Sequence, residues 1–159
     1  MEIYLLRHAI AEENSPSGRD HDRRLTDEGR DKLRRVLERA AAAGVEPSLI
    51  LSSPLVRAVQ TAEMAAHELG YSGKIVRVDC LAPDGSPSDI WKELRGRRDE
   101  SAVLLAGHEP LFSATTAYLL GCTRSMVDFR KAGLVRIDVQ GFGAAPAGVL
   151  QWMLIPKLA

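Results

Sequence analysis

AVLLAGHEP, residues 102–110, opens with five consecutive apolar side chains and ends in Gly107-His108-Glu109-Pro110. A run that is apolar at every position, without alternation, marks a strand covered on both faces, as a central strand of a parallel sheet is. The Gly-His-Glu-Pro that follows opens a helix reaching about Leu120, with proline in the first turn, where its missing N–H costs nothing. Two other segments follow a related plan. Residues 3–6 form a short apolar run that stops at Arg7-His8. Residues 49–52 run into Ser53-Pro54 and a helix whose inward positions are Val56, Val59, Ala62, Ala66 and Leu69, closed by Gly70.

The remaining segments fill in around these three. A polar loop spans residues 11–24 and contains Pro16 and Gly18. Thr26 reads as an N-cap ahead of Asp27 and Glu28, acidic residues suited to the positive end of a helix. Leu33, Val36, Leu37 and Ala40 recur at helical spacing, and Gly44 with Pro47 stops that helix. Residues 74–78 read as a third strand, and residues 88–98 as a helix carrying Ile90, Trp91 and Leu94 inward. Two later strands, 134–139 and 149–155, flank a loop rich in Gly, Ala and Pro. Alternating strands and helices predict a single-domain α/β fold over residues 1–159. Its central sheet is mainly parallel, with helices on both faces and antiparallel edge strands from the later pair.

Composition agrees with one folded domain. The chain has 159 residues, 45% apolar and 26% charged, and about 100 to 200 residues is the usual size of a domain. Its 21 basic and 21 acidic side chains cancel, so no overall field draws it to nucleic acid or an anionic membrane. No apolar stretch approaches the length of a membrane span, and the first segment lacks the marks of a signal peptide, so a cytoplasmic protein is expected. Cys80 and Cys122 stand far apart, which predicts reduced, structural thiols. No two of the four histidines have the helical spacing that converges on one ion, so neither metal nor other cofactor is expected.

The chemistry concentrates at the strand ends. In a parallel sheet the carboxyl ends share one edge, where ligands bind in open α/β folds, so Arg7, His8, Arg57 and His108 can converge there. Helix starts present free N–H groups and a positive dipole end to that crevice, which suits an anion. Two arginines add forked donors matched to phosphate oxygens. An imidazole held between cations resists protonation, so His8 is the expected nucleophile toward phosphorus, and His108 the expected donor to a phosphoryl oxygen. Ser52 and Ser53 read as caps, Gln60 and Thr61 as supports behind the site, and His21 and His67 as surface residues. Trp91 and Trp152 read as packing. The arginines at 34, 35, 39, 95, 97 and 98 lie among acidic residues and read as solvated helix faces.

Four ordered motifs carry a resemblance. L-R-H-A at 6–9, R-x-L-T-x-x-G at 23–29, S-S-P-x-x-R-A-x-Q-T-A at 52–62 and G-H-E-P at 107–110 resemble the histidine phosphatase superfamily, whose fold is phosphoglycerate-mutase-like. The short chain and the D-x-x-R-x-L-T stretch from Asp20 look most like its SixA-like branch of phosphohistidine phosphatases. The resemblance implies that His8 is transiently phosphorylated while Arg7, Arg57 and His108 hold the transferred group. It gives Arg23 a contact with substrate or phosphate. Where the superfamily usually has glycine after the nucleophile this chain has Ala9, so the backbone there must avoid a glycine-only conformation.

A phosphohistidine leaving group departs as imidazole and can already be protonated, which lessens the need for a general acid. Glu109 is the first candidate for one, ahead of Glu13 and Asp22, although a glutamate before Pro110 also suits a helix start. The reading is a metal-independent phosphatase acting on a phosphohistidine-bearing protein, such as a phosphotransfer domain of a signalling phosphorelay. The alternatives are a phosphatase or mutase acting on a small phosphorylated molecule, and a non-catalytic phosphate-binding module.

Overall fold

A computed structural model describes residues 1–123 and 127–159. Among the described residues six strands form one sheet: β1 (Glu2–Arg7), β2 (Leu49–Ser52), β3 (Val76–Arg77), β4 (Ala102–Gly107), β5 (Leu134–Val139) and β6 (Gly148–Leu154). Their order is β3-β2-β4-β1-β5-β6. The first four of that order run parallel, and β5 and β6 add the antiparallel edge. The α-helices among the described residues are α1 (Asp27–Ala42), α2 (Val56–Glu68), α3 (Pro87–Gly96) and α4 (Leu111–Leu119).

Strand alternation divides the core between the two faces. Tyr4, Leu6, Ile50 and Leu104 point to one side, where Leu33, Val36 and Leu37 of α1 and Ala62 and Ala65 of α2 cover them. Ile3, Leu5, Leu51, Val103 and Leu105 point to the other, against Ile90, Trp91 and Leu94 of α3 and Leu111 and Phe112 of α4. Each such aliphatic or aromatic side chain contributes about 1.5–3 kcal/mol by leaving water. Every residue of β4 is buried, as its unbroken apolar run requires of a central strand. Trp152 is half-buried on the edge strand against Tyr4.

The helix starts differ from expectation. Pro54 and Pro110 precede their helices: α2 begins at Val56 after Leu55, and Pro110 is itself the cap residue of α4. Pro87 is the proline in a first helical turn, where the Ser86 side chain accepts from the Asp89 N–H. Thr26 caps α1 as expected, its oxygen accepting from Gly29 N at 3.0 Å. On α2 the buried positions are Arg57, Ala58, Val59, Thr61, Ala62 and Ala65, whereas Val56 and Ala66 are half-buried. The third strand contracts to Val76–Arg77, because this edge segment pairs only with β2 and has no second neighbour to extend its ladder. Cys80 is half-buried, Cys122 is exposed, and both are free thiols. No helix among the described residues is long and apolar enough to cross a membrane.

Candidate active site

The sheet register brings the predicted residues together. Arg7 at the end of β1 aligns with Gly107 at the end of β4, and Ser52 of β2 aligns with Ala106. His8 N then donates to Gly107 O at 2.9 Å, and Ser53 N to Ala106 O at 2.9 Å. His8 and Ser53 thus flank His108 on one rim. The imidazole centroids of His8 and His108 lie 5.1 Å apart.

His8 is 7% exposed. Its Nδ1 lies 2.7 Å from Ala9 O, and since a carbonyl can only accept, this bond assigns the proton to Nδ1 and leaves the Nε2 lone pair free. Burial is the main cause that pushes its pKa down to about 3; the Ala9 hydrogen bond opposes the shift, and the neighbouring His108, Arg57 and Arg7 add to it. The ring is therefore a neutral base throughout the physiological range. Ala9 behaves as the sequence requires: it is absent from the residues with positive φ, and its N–H donates to Thr61 Oγ1 at 3.3 Å.

A second network sets the tautomer of His108. Leu55 N donates to Ser53 Oγ, and the buried Ser53 hydroxyl proton, with no other acceptor among the described residues, is assigned to His108 Nε2 at 2.8 Å. His108 Nδ1 then carries the proton and is a donor. Burial, with Arg57 next in size, pushes the His108 pKa down to about 4.

Three buried donors at this rim have no partner among the described residues: Arg7 Nε, Arg57 Nε and His108 Nδ1. Among the described residues the only other buried side-chain N or O atom without a partner is Thr115 Oγ1. Leaving a buried donor unsatisfied costs about 1–3 kcal/mol, and such costs cluster where a ligand completes the bonding. Three cationic or ring N–H groups around a neutral imidazole form a cradle for a tetrahedral oxyanion.

The guanidinium groups are held from outside the cradle. Arg7 Nη1 donates to Phe129 O at 2.5 Å. Arg57, 5% exposed, donates through Nη1 to Asp20 O at 2.9 Å and through Nη2 to Asp20 Oδ2 at 3.0 Å. The other oxygen of Asp20 accepts from Arg23 Nη1 at 2.8 Å, and Arg23 Nε donates to Glu12 O. Arg23 therefore meets the site through Asp20, whose carboxyl is held below its usual range first by Arg23 and then by Arg57. Gln60 and Thr61 are supports, as expected: Gln60 Oε1 accepts from Leu25 N, and Thr61 Oγ1 donates to Arg57 O at 2.7 Å.

The acid candidates are placed less favourably. Both oxygens of Glu109 are taken up by Ser113, accepting from its N–H at 2.8 Å and its hydroxyl at 2.5 Å, which is the helix-start role. Asp22 accepts from Ser17 Oγ and lies beside His21, and Glu13 is exposed. Asp20 is the residue that sequence reasoning passed over. It opens the D-x-x-R pattern, and the short 3₁₀ turn over Asp20–Asp22 brings it beside Arg23. Among the described residues no three His, Cys, Asp or Glu side chains gather in a group that could hold a metal ion.

Residues 3–82, half of the chain and including three of the four motifs, match the profile of the histidine phosphatase superfamily (branch 1). The chain belongs to the histidine phosphatase superfamily. The chain is 36% identical over 139 residues to an uncharacterized protein of Picosynechococcus sp., covering 85% of its own length and 83% of that protein. It is 28% identical over 159 residues to the phosphohistidine phosphatase SixA of Escherichia coli strain K12, covering 98% and 94% of the two chains. The structure of a protein histidine phosphatase SixA complexed with tungstate superposes with a TM-score of 0.89 at 24% identity, over 99% of this chain and 98% of that one. The histidine phosphatase therefore shares the SixA fold and the phosphoglycerate-mutase-like architecture expected of it.

Proposed function

We propose that this histidine phosphatase is a metal-independent protein phosphohistidine phosphatase of a signalling phosphorelay, working in two displacements at His8. In the first, the Nε2 lone pair attacks phosphorus, the P–N bond to the substrate histidine breaks with its electron pair going to the ring nitrogen, and that histidine, already protonated on its other ring nitrogen, leaves as neutral imidazole. In the second, water attacks phosphorus, the P–N bond to His8 breaks, and inorganic phosphate departs as His8 returns to its neutral form. Arg7, Arg57 and His108 hold the transferred group, the two arginines by charge and the His108 Nδ1–H by a hydrogen bond to an oxygen that gains charge in flight. Arg23 acts through Asp20, which orients Arg57. No acid is required, since the leaving ring already carries that proton, taken from solvent near neutral pH.

The observation that carries this reading is the coincidence of three partnerless buried donors with a neutral histidine whose tautomer exposes Nε2. Kinship with SixA, and tungstate as a phosphate-shaped oxyanion in the structure of that protein, support it. The test is to incubate the enzyme, in the presence of a chelator, with a histidine-phosphorylated phosphotransfer protein and in parallel with small phosphoesters. Phosphate release from the protein, faster than from the esters, is expected. Folded enzyme that releases phosphate from the esters alone overturns the assignment of substrate. Release from neither overturns the assignment of catalysis and leaves a phosphate-binding module.

A further inference from the structure

Beside the catalytic rim, a groove of about 1350 Å³ opens between α1, the segment around residues 127–131 and the end of β6. Six of its lining residues are cations: Arg7, Lys32, Arg35, Arg130, Lys131 and Lys157. Among the described residues Asp128 is the one acidic side chain lining it. Lys32 pairs with Glu28 and Arg130 with Asp128. Among the described residues Arg35, Lys131 and Lys157 pair with no carboxylate. Between the cations the wall is apolar, with Met153 and Ile155 the principal members.

Two features connect this groove to the chemistry. Arg7 belongs to both, its buried Nε at the oxyanion cradle and its side chain in the groove wall. Its Nη1 is anchored on Phe129 O, within the segment that supplies Arg130 and Lys131. The whole chain carries no net charge, so this basic surplus is a segregation of charge within the molecule. A second depression, lined by Asp79, Asp84, Asp89 and Glu93 against the single cation Lys92, holds a surplus of acidic charge.

We propose that the groove is the docking surface for the protein that carries the phosphoryl group, and that it selects an acidic, amphipathic helix beside the partner's phosphorylated histidine. This rests on the proposed function and specifies its substrate. A row of carboxylates along one helix face complements the lysines and arginines, and the helix's apolar edge covers Met153 and Ile155. Seating the helix there delivers the adjacent phosphohistidine past Arg7 to His8. Charge complementarity of this kind acts chiefly on the rate of encounter and on the choice of partner, and it weakens as salt screens it.

The decisive variant is Arg35→Glu/Lys131→Glu/Lys157→Glu, three exposed reversals away from the cradle. Two substrates are compared at low and at high salt: a histidine-phosphorylated phosphotransfer protein with an acidic helix beside its histidine, and phosphoimidazole. The expected result is a fall of about tenfold or more in kcat/KM for the protein at low salt, shrinking as salt is added, as loss of electrostatic steering requires. Turnover of phosphoimidazole stays at the wild-type value, which also shows that the variant is folded. An undiminished rate on the protein overturns the docking proposal and leaves the proposed function standing.

A binding measurement judges the groove even if no phosphohistidine is hydrolysed. A fluorescent, Glu-rich amphipathic helical peptide should bind the wild type in a salt-sensitive manner, and the triple variant more weakly. Equal binding by both, or binding of phosphatidylserine-rich vesicles without binding of the peptide, overturns the proposal.

Discussion

Neutral His8 and His108 should make folding stability depend on pH in a calculable way. Their pKa values are lowered to about 3 and about 4 in the fold, against about 6.5 for an unperturbed histidine. A lowered histidine pKa means that the unfolded chain binds the proton first, so stability rises with pH. The contribution is complete above pH 6.5 and is lost as pH falls toward 4 for His108 and toward 3 for His8. Both rings are nearly inaccessible to solvent, so little screening discounts the effect. Between pH 7 and pH 5 each histidine removes about 2 kcal/mol, or about 4 kcal/mol together. The lowered carboxylates Asp20, Asp22 and Glu28 act at more acidic pH and leave this window clear.

Urea unfolding at a series of pH values between 5 and 7 measures the slope, with His8→Asn as the control. Asparagine keeps an N–H to offer Ala9 O but cannot titrate. The variant should lose about half of the wild-type pH dependence, about 2 kcal/mol over the window. A variant whose stability falls as steeply as that of the wild type would refute the argument that the fold holds His8 neutral. Histidine ring NMR showing His8 titrating near its ordinary value would refute it as well.

Ser53→Ala removes the donor that sets the His108 tautomer and leaves buried Nε2 without a partner; calorimetry should show a loss of about 1–3 kcal/mol. Turnover should fall with it, and unchanged turnover would remove the tautomer argument. Gly29→Ala places a Cβ 2.2 Å from Ile10 O, against backbone that follows His8 by two residues, and chemical denaturation should show a loss of about 1–3 kcal/mol from the forced shift. Glu109→Gln should leave phosphohistidine turnover close to the wild-type value, because both carboxylate oxygens already serve Ser113; loss of a working general acid would instead lower the rate about 10²- to 10⁴-fold.

The parts of this molecule legible in the sequence are those that follow from periodicity and strand termini. The unbroken apolar run of β4 marked the centre of the sheet, and the abrupt polar ends at Arg7-His8, Ser52-Ser53 and Gly107-His108 marked the strand ends that the register brings to one edge. Edge elements were harder to read: β3 has one neighbour, so its apolar residues extend beyond the two that form a ladder. Pro54 and Pro110 were expected inside first turns, but each turn places proline before its helix, a matter of backbone path that composition does not encode. Asp20 escaped because its role is tertiary, a loop carboxylate reaching Arg57 37 residues away. Ser53 was read as a cap and does accept from Leu55 N, but its bond to His108 crosses between two strand ends and leaves no local signature.

In the proposed reaction the phosphoryl group passes through His8. Mixing the enzyme with a phosphotransfer protein carrying radiolabelled phosphohistidine, quenching in alkali within a turnover and mapping the label tests it directly. Transient label is expected on the peptide that contains His8, gone after longer incubation and never formed by His8→Ala. Phosphate release that proceeds without labelled enzyme, or label that persists in His8→Ala, would contradict it.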